Sequence, residues 1–414
     1  KMAALMCRTA ARRLGIKVNF RNDFHQVYRL SGEHGPLSFA VLKLCNSNLH
    51  HESLRQGSLL HTGGDTVSRQ WRKYRRSYST GSEAELFPKE PIQPYKLIES
   101  ELQSLHPSIR QELYGSCPEL TEVAQYYFDG KGKSFRPMIV LLMSRVCNLH
   151  NSLTERIKDS QKKIAMITEM IHTASLMHDD VIDAADTRRG KTSINELFGQ
   201  RKSILAGDFV LSISSQALAR IGDPDVVIVL STVIEDLVKG EFMQLGSKDN
   251  ENERFSHYLM KTYKKTASLM AHSCRAVAML ADCSPEVCEI AYQYGRNIGM
   301  AFQLVDDILD FVSCDDAMGK PTSADLKLGL ATAPVLFAAE KYPELNDMIM
   351  RRFSHKGDVE RARRAVANTD SIQQSRFLAE QHSREAVRQI EKLTNCAERQ
   401  ALIYLTQEVL SRHK

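Results

Sequence analysis

The stretch Ile164–Asp183, IAMITEMIHTASLMHDDVID, combines a helical apolar stripe with a cluster of acids at its end. The apolar side chains recur every three or four residues, a spacing that predicts an α-helix with one buried face. They are Ile164, Ile167, Ile171, Ala174 and Met177. The acids are Asp179, Asp180 and Asp183. The stretch therefore predicts a core helix that carries a concentrated negative charge.

The chain from residue 96 to residue 414 keeps this helical spacing, with a second stripe at Ala386, Ile390 and Leu393. Proline and glycine are sparse there and gather at short joints, where they interrupt helices. These joints are Gly130–Gly132, Gly222–Pro224, Ser284–Pro285, Gly319–Pro321 and Tyr342–Pro343. Alternating strand patterns are absent from the sequence. We predict an all-α fold, with one large helical bundle around a central cavity at 96–414.

Charge is distributed unevenly along the chain. Residues 1–82 contain 14 Lys and Arg against 4 Asp and Glu, although the net charge of the whole protein is only +5. The remaining 332 residues therefore carry a net charge of −5. This acidic body argues against nucleic acid as the main partner. The sequence also has no run of about 18 apolar residues that would predict a membrane span.

The basic N-terminal region has the composition of a mitochondrial transit peptide, because it is poor in acids and lacks a long apolar core. Within it, Arg75–Thr80, RRSYST, resembles a processing site with cleavage after Tyr78. We predict a transit peptide at 1–78 and, because Leu86–Tyr95 contains three prolines, a linker at 79–95. The alternative is a retained basic arm that binds nucleic acid or anionic lipid.

The nine cysteines are scattered, odd in number and without a CxxC pair. They are Cys7, Cys45, Cys117, Cys147, Cys274, Cys283, Cys288, Cys314 and Cys396. This usage is typical of reduced, packed thiols in an intracellular protein. It argues against a disulfide framework and against a zinc site.

Asp179 and Asp183 lie four residues apart, so a helix presents them on one face, one turn apart. Such carboxylates repel each other unless water or a cation separates them, and the apolar neighbours of this pair limit solvation. A solvated acidic face is the plainer alternative for a single cluster. A second cluster in the segment Phe302–Asp310, FQLVDDILD, weighs against that alternative.

The second cluster repeats the spacing with Asp306, Asp307 and Asp310, again inside an apolar helix. Carboxylates in apolar surroundings are costly, so we expect the two clusters to face each other across a cavity and share a cation. All-carboxylate sites suit Mg²⁺. Zinc or a di-iron centre would need further histidines. His178 alone does not supply them, and we interpret it as structural.

Basic residues accompany both clusters and favour a phosphorylated ligand, since arginine forks and lysine charges bind phosphate oxygens. They are Lys133, Arg136, Arg188, Arg189, Lys265 and Lys320. Each alone is typical of an ordinary surface charge. GKGKS, around Lys133, has the wrong spacing for a P-loop. Together with two Mg²⁺ clusters, the basic residues predict a ligand with one or more diphosphates.

The motifs GKxxRP, HxxSLxHDDxxD followed by RRG, AGD, KTASL, FQxxDDxxD and GKxxxxDL occur in this order after residue 94. The chain thereby resembles the trans-isoprenyl diphosphate synthases, above all their long-chain mitochondrial members, which make the ubiquinone tail. The resemblance implies a Mg²⁺-dependent prenyltransferase. It would condense isopentenyl diphosphate onto an allylic diphosphate, farnesyl or geranylgeranyl, in the mitochondrial matrix or on the matrix face of the inner membrane.

The resemblance also implies roles for individual residues. Two or three Mg²⁺ ions would be held by Asp179, Asp183, Asp306 and Asp310, and Asp180 and Asp307 complete the two catalytic trios. The residues implied for the allylic diphosphate are Arg188, Lys265, Thr266, Gln303 and Lys320. Those implied for isopentenyl diphosphate are Lys133, Arg136, His172 and Arg189. Without the resemblance, His172 would be interpreted as a buried core histidine.

Three positions bear on the length of the product and on the affinity for substrate. Ala174 and Ser175, one turn before Asp179, are small where short-chain members of the family have a bulky aromatic floor, which favours a long product. Leu330 stands in LGLATAP, Leu328–Pro334, where the family usually has a lysine. We expect Lys327, one turn earlier, to compensate in part.

Two other functions remain open. A regulatory or non-catalytic subunit would keep the fold and lose the chemistry, but such subunits usually lose acids or arginines that this chain retains. A class I terpene cyclase would carry a different second motif in place of DDILD. The resemblance further implies a diverged second subunit, in a heterotetramer, and peripheral membrane contact through the insoluble product.

Overall fold

The computed structural model describes residues 93–412, apart from residues 116, 131, 133, 153, 247–250 and 313–322. Several predictions fall outside the described residues. These are the transit peptide with its processing site, most of the linker, Lys133, Lys320, the joint Gly319–Pro321, Cys7, Cys45 and Cys314. The first helix already begins at Pro94, inside the predicted linker.

Seventeen α-helices, one π-helix and one short hairpin make up the described part of the chain. The α-helices are α1 (Pro94–Leu97), α2 (Glu99–Glu112), α3 (Pro118–Gln125), α4 (Phe135–Ser152), α5 (Asp159–Ile182), α6 (Ile194–Phe198), α7 (Gln200–Ala219), α8 (Pro224–Leu245), α9 (Glu251–Thr262), α10 (Ser268–Leu280), α11 (Pro285–Val312), α12 (Ala324–Lys327), α13 (Ala333–Ala339), α14 (Leu345–Met350), α15 (Asp358–Ala367), α16 (Ser371–Ile390) and α17 (Ala397–Leu410). The π-helix is Tyr263–Ala267, and strands β1 (Thr187–Arg188) and β2 (Lys191–Thr192) pair antiparallel. The predicted all-α fold is confirmed.

Helix boundaries follow the predicted joints. At the joint Gly222–Pro224, the Asp223 carboxylate accepts hydrogen bonds from the backbone N–H groups of Asp225 (3.0 Å) and Val226 (3.1 Å), which caps α8. Pro224 occupies the first turn, where its missing N–H costs nothing. Pro285 likewise begins α11. The helix α5 ends at Ile182, so the predicted helical stretch is confirmed except for its last residue, Asp183, which caps the helix end.

The core lies between long helices that bury apolar faces. Helix α11 packs against α10 and α16, and α5 packs against α4 and α7. The predicted stripe of α5 is fully inside, because Ile164, Ile167, Ile171, Ala174 and Met177 are all at most 1% exposed. A smaller apolar cluster, which includes Leu326, Val335 and Phe353, joins α12 to α15.

Two glycines let α11 approach the π-helix and α10 closely. A Cβ atom at Gly295 would lie 2.5 Å from the carbonyl oxygen of Met270, and one at Gly299 would lie 2.6 Å from Cα of Ala267. Both distances are below van der Waals contact, so only glycine fits. This close packing sets the position of Lys265 and Thr266 relative to the aspartates of α11.

Two other expectations can be compared with the described residues. Of the free thiols among the described residues, Cys147, Cys274 and Cys288 are buried and Cys283 and Cys396 are partly buried, whereas Cys117 is exposed and does not fit the expected packing. Within the described residues, every helix is too short or too polar to cross a bilayer.

Candidate active site

A cavity of 580 Å³ opens between α5, the hairpin, the π-helix and α11. It brings together most of the residues that the sequence singles out. Those lining it are Arg136, His172, Ser175, Asp179, Asp183, Arg188, Arg189, Lys265, Thr266, Gln303, Asp306 and Asp307. Asp180, Asp310 and Ala174 do not line it.

The first acidic cluster sits at the end of α5, where Asp179 and Asp183 face the cavity. Burial, together with the negative charges of Glu241 and Asp183, raises the pKa of Asp179 to about 6 despite the opposing effect of Lys265. Burial also raises the pKa of Asp183. The cations of the protein alone therefore do not fully compensate the negative charge of these two carboxylates.

The middle aspartate of this cluster has a different role. Asp180 is fully buried and accepts hydrogen bonds from the Tyr127 hydroxyl (2.5 Å) and from Nε of Arg188 (2.7 Å). The Tyr127 oxygen in turn accepts the backbone N–H of Ile194 at 2.8 Å. Asp180 thus holds Arg188 in the cavity wall instead of facing the cavity.

The second cluster divides in a similar way. Asp306 lies in the cavity with Nη2 of Arg412 at 3.0 Å. Asp307 is buried and accepts from the Tyr258 hydroxyl (2.5 Å) and from Nε2 of Gln303 (2.9 Å), and burial raises its pKa to about 6. Asp310 accepts the backbone N–H groups of Ala324 (2.9 Å) and Asp325 (3.2 Å) at the start of α12.

The hairpin presents two adjacent arginines, Arg188 at the end of β1 and Arg189 in the tight turn. Arg189 and Gly190 are its two loop residues, and both have positive φ, 52° and 74°. This conformation matches the twist of a two-residue hairpin but is strained for arginine. The turn directs Arg189 toward His172, whose Nε2 lies 3.5 Å from Nη2 of Arg189 and 3.0 Å from Nη1 of Arg136.

His172 is neutral in this arrangement. Burial lowers the pKa of His172 well below its usual value, and the charges of Arg136 and Arg189 lower it further. Because Arg136 can only donate, Nε2 of His172 is the acceptor and its proton sits on Nδ1. The neutral ring therefore links two guanidinium groups without adding a third positive charge.

The π-helix places adjacent side chains on different partners. The Lys264 ammonium contacts the buried Asp236 carboxylate at 2.5 Å, away from the cavity. Lys265 points into the cavity, 2.7 Å from Glu241 and 3.8 Å from Asp179. Thr266 donates to Gln303 at 2.8 Å. A π-helix of one turn is frequent at functional sites, because it re-aims side chains in this way.

A second, apolar cavity of 340 Å³ adjoins the charged one and shares Ser175, Asp179 and Lys265 with it. Its apolar lining includes Ile171, Ile182, Leu211, Ile234, Leu237, Val238 and Phe242. The interpretation of Ala174 as a lining residue is wrong. Ala174 is fully buried in the core and lines neither cavity, because the next residue on a helix points about 100° away.

The donor set fits Mg²⁺. Among the described residues, no three His, Cys, Asp or Glu side chains converge closely enough to hold a cation by themselves. Mg²⁺ normally takes only one or two carboxylates and completes its shell with water and substrate phosphates. Asp179 and Asp183 on one side of the cavity and Asp306 on the other side meet that requirement.

Several cavity residues escaped the sequence reasoning. Glu241, Gln244, Tyr258, Lys261 and Arg412 belong to this group. Glu241 and Gln244 lie three residues apart near the end of α8, a spacing that places them on one helix face; Arg412 gave no such signal. Leu330 also lines the charged cavity, whereas Lys327 is exposed and does not. The expected compensation by Lys327 therefore has no structural support.

Comparison with known proteins agrees with this geometry. The model of the family described as Polyprenyl synthetase matches residues 117–366. The chain is 60% identical to human all trans-polyprenyl-diphosphate synthase PDSS1 over 78% of this chain and 77% of the human one. It is 46% identical to decaprenyl-diphosphate synthase subunit 1 of Schizosaccharomyces pombe, over 77% and 91% of the two chains. A rice relative, solanesyl-diphosphate synthase 1, mitochondrial, is 38% identical over 88% and 89%.

Solved structures show the same fold. A polyprenyl synthase from Caulobacter crescentus, crystallised with calcium and isoprenyl diphosphate, superposes with a TM-score of 0.71 and 26% identity over 79% of this chain and all of that one. A medium/long-chain prenyl pyrophosphate synthase from Arabidopsis gives 0.63 and 36%, over 78% and 100%. The predicted mitochondrial location agrees with the names of the relatives. By family model, identity and fold, this chain belongs to the polyprenyl synthetase family and is a prenyltransferase.

Proposed function

We propose that this chain adds isopentenyl diphosphate units to an allylic diphosphate and so makes the long polyprenyl tail of ubiquinone. The observation that carries the proposal is the junction of two cavities at Ser175, Asp179 and Lys265. One side is lined by acids and bases suited to metal-bound diphosphates, and the other is apolar and suited to a hydrocarbon chain. The named relatives, all long-chain synthases, support the same assignment.

The basic residues divide between the two substrates. Arg188, Lys265, Thr266 and Gln303 would contact the allylic diphosphate, because they surround the aspartates of both clusters. Arg136, His172 and Arg189 form a separate linked group and would bind isopentenyl diphosphate. Lys133 and Lys320, proposed for the same substrates, lie outside the described residues.

Two or three Mg²⁺ ions would be held by Asp179, Asp183 and Asp306, which face the cavity. Asp310 would join them when its carboxylate gives up its hydrogen bonds to the backbone N–H groups of Ala324 and Asp325. When bound, Mg²⁺ supplies positive charge against the diphosphate leaving group. The Caulobacter enzyme, which was crystallised as a complex with calcium and isoprenyl diphosphate, supports a divalent cation in the substrate site.

The chemistry needs charge stabilisation rather than a protein base. When the allylic carbon–oxygen bond breaks, Arg188 and Lys265 stabilise the developing diphosphate charge. The alkene of isopentenyl diphosphate then attacks the allylic cation while the closed site excludes water. The departing diphosphate accepts the final proton. The cavity accordingly contains Asp, Lys and Arg, and its one histidine is held as an acceptor between arginines.

A prenyl incorporation assay tests this function. The full chain is incubated with labelled isopentenyl diphosphate, farnesyl or geranylgeranyl diphosphate and Mg²⁺, and the product is extracted and compared chromatographically with polyprenol standards. We expect a product longer than either primer. Lack of incorporation both alone and with a partner chain would favour the alternative, a non-catalytic or regulatory subunit.

A partner chain is supported by an exposed apolar face on α7 and α8. Its side chains are Ile204, Leu205, Ile228, Val238, Phe242 and Leu245, all more than 40% exposed. Exposed apolar patches of this kind typically mark protein interfaces. The fission-yeast relative is named as a subunit. We propose a diverged second synthase chain as the partner, in a heterotetramer at the matrix face of the inner membrane, where the insoluble product is released. Activity that appears only when this chain is co-purified with the second subunit would support it.

A further inference from the structure

Lys261, in the last turn of α9, is a partly buried cation that the sequence does not single out. Its ammonium lies 5.7 Å from the centre of the Tyr258 ring. Within the described residues, the structure gives it no hydrogen bond and no carboxylate within ion-pair distance. A partly buried ammonium without such a partner is incompletely solvated, so its charge costs free energy until an anion reaches it.

The nearby acids do not neutralise Lys261. Burial lowers its pKa, and the carboxylates of Asp307 and Asp325 raise it, but the net effect is a lowered pKa. The oxygens of Asp307 are already occupied by Tyr258 and Gln303. The positive charge at Lys261 therefore remains available for a mobile anion in the cavity.

The position of Lys261 is suited to a phosphate group. It lines the charged cavity together with Lys265, Gln303 and Asp307. It also lines a smaller adjoining pocket of 70 Å³, whose other basic side chains are Arg254, His257 and Arg352. The described residues that line this pocket include no Asp or Glu. On the side of this pocket, the charged side chains near Lys261 are therefore all basic.

Leu330 lines both the charged cavity and this pocket. It provides no charge at a position where the family resemblance leads us to expect a lysine. Lys261 lies in the wall of the same two cavities, so an ammonium reaches this region from α9 instead of from the segment before α13.

We propose that Lys261 binds an oxygen of the allylic diphosphate and takes over the role of the cation that Leu330 does not supply. This inference rests on the proposed prenyl transfer. The allylic substrate is favoured over isopentenyl diphosphate because the charged groups near Lys261 include Asp307 and Lys265, whereas Arg136, His172 and Arg189 form the other group.

The test is Lys261→Met in the full chain, together with its partner subunit if activity requires one. Loss of a hydrogen bond to a charged group weakens binding about tenfold or more. We expect KM for the allylic diphosphate to rise by about that factor, with a smaller change in kcat and in KM for isopentenyl diphosphate. Calorimetric binding of inorganic diphosphate in the presence of Mg²⁺ should weaken similarly.

Two further variants make the result specific. Lys341→Met removes an exposed lysine that contacts Asp370 at 2.6 Å, far along the chain from the cavity, and should change neither KM nor diphosphate binding. Lys261→Met/Leu330→Lys should recover part of the lost affinity, because it restores one ammonium to the same wall. Circular dichroism checks that every variant is folded.

Unchanged KM and unchanged diphosphate binding in a folded Lys261→Met protein would overturn the inference. If the double variant recovers none of the lost affinity, Lys261 does not replace a lysine at position 330. If the parent protein shows no turnover with any partner, the proposed function fails instead. The calorimetric comparison of parent and Lys261→Met proteins still decides whether Lys261 binds diphosphate.

Discussion

Adjacent aspartates in one helical turn face different surroundings, because successive side chains on an α-helix point about 100° apart. Asp179 faces the cavity, and the neighbouring Asp180 is buried against Tyr127 and Arg188. A motif of three acids therefore contains residues for the ligand and residues that position an arginine. The same division separates Asp306 from Asp310 in the second cluster.

The variant Asp179→Ala should abolish turnover while leaving the fold intact. The side chain is a proposed Mg²⁺ ligand, and removing it also relieves repulsion with Asp183 and Glu241. We expect activity to fall by about 10³-fold or more, as when a principal electrostatic group is removed, with unchanged helix content by circular dichroism. Full activity in this variant would refute the metal assignment.

The mutation Ser175→Phe should shorten the product. Ser175 lies at the junction of the charged and apolar cavities, so a phenyl ring there would block the space into which the chain grows. Chromatography of extracted products should show shorter polyprenyls with turnover retained. Ser215→Phe, an exposed position on α7, is the matched control and should leave product length unchanged. Equal product lengths in both variants would contradict the assignment of the apolar cavity.

At the level of elements, the π-helix and α11 depend on one another. Lys265 and Thr266 face the aspartates of α11 only because Gly295 and Gly299 admit the neighbouring backbone. A single turn of π-helix then separates Lys264, which pairs with Asp236, from Lys265 in the cavity. Packing between two elements thus positions the binding residues.

Substituting Gly299→Val should therefore disturb both stability and binding. Its side chain would overlap Ala267, and overpacking of this kind costs about 1–3 kcal/mol of unfolding free energy. Urea unfolding measures that loss, and KM for the allylic diphosphate should rise as the π-helix moves. Gly115→Ala is the control, because its Cβ would meet only a side-chain atom at 3.9 Å. A Gly299→Val protein as stable as the control would disprove the close packing.

The interface between α11 and α16 contains a histidine that should make stability depend on pH. His382 contacts Asn297 through Nδ1 at 2.8 Å, and burial lowers its pKa from 6.5 to about 3. As the pH falls below 6.5, the unfolded chain takes up a proton that the folded protein does not bind. The contribution of His382 to stability is therefore present above that pH and is lost progressively between 6.5 and about 3.

The variant His382→Gln tests whether His382 makes the protein less stable as the pH falls. We expect the slope of unfolding free energy against pH, measured by urea denaturation between about pH 6 and pH 4.5, to become shallower by up to about 1.4 kcal/mol per pH unit. The slope that remains comes from other groups, including His272, whose pKa burial lowers to about 4. An unaltered slope would show that His382 titrates normally in the folded state.

On the scale of the whole molecule, the fold joins two environments that a single helix cannot provide together. Helix α5 carries acids at its end and Ser175 one turn earlier, so a charged cavity and an apolar cavity meet along it. The exposed apolar face on α7 and α8 borders the apolar cavity through Val238, Phe242 and Leu245. The proposed partner binding and product growth would therefore use the same helices.

The sequence by itself determined the helical class, several of the joints and the two acidic clusters, because these depend on local periodicity and on the high cost of carboxylates in apolar helices. It also identified Arg136, His172, Lys265 and Gln303 through the family resemblance. Tertiary structure alone decided which aspartate faces the cavity, that Ala174 is core and that Lys327 is exposed. It also revealed Lys261 and Arg412, because a side chain's partners depend on contacts between helices that lie far apart in the chain.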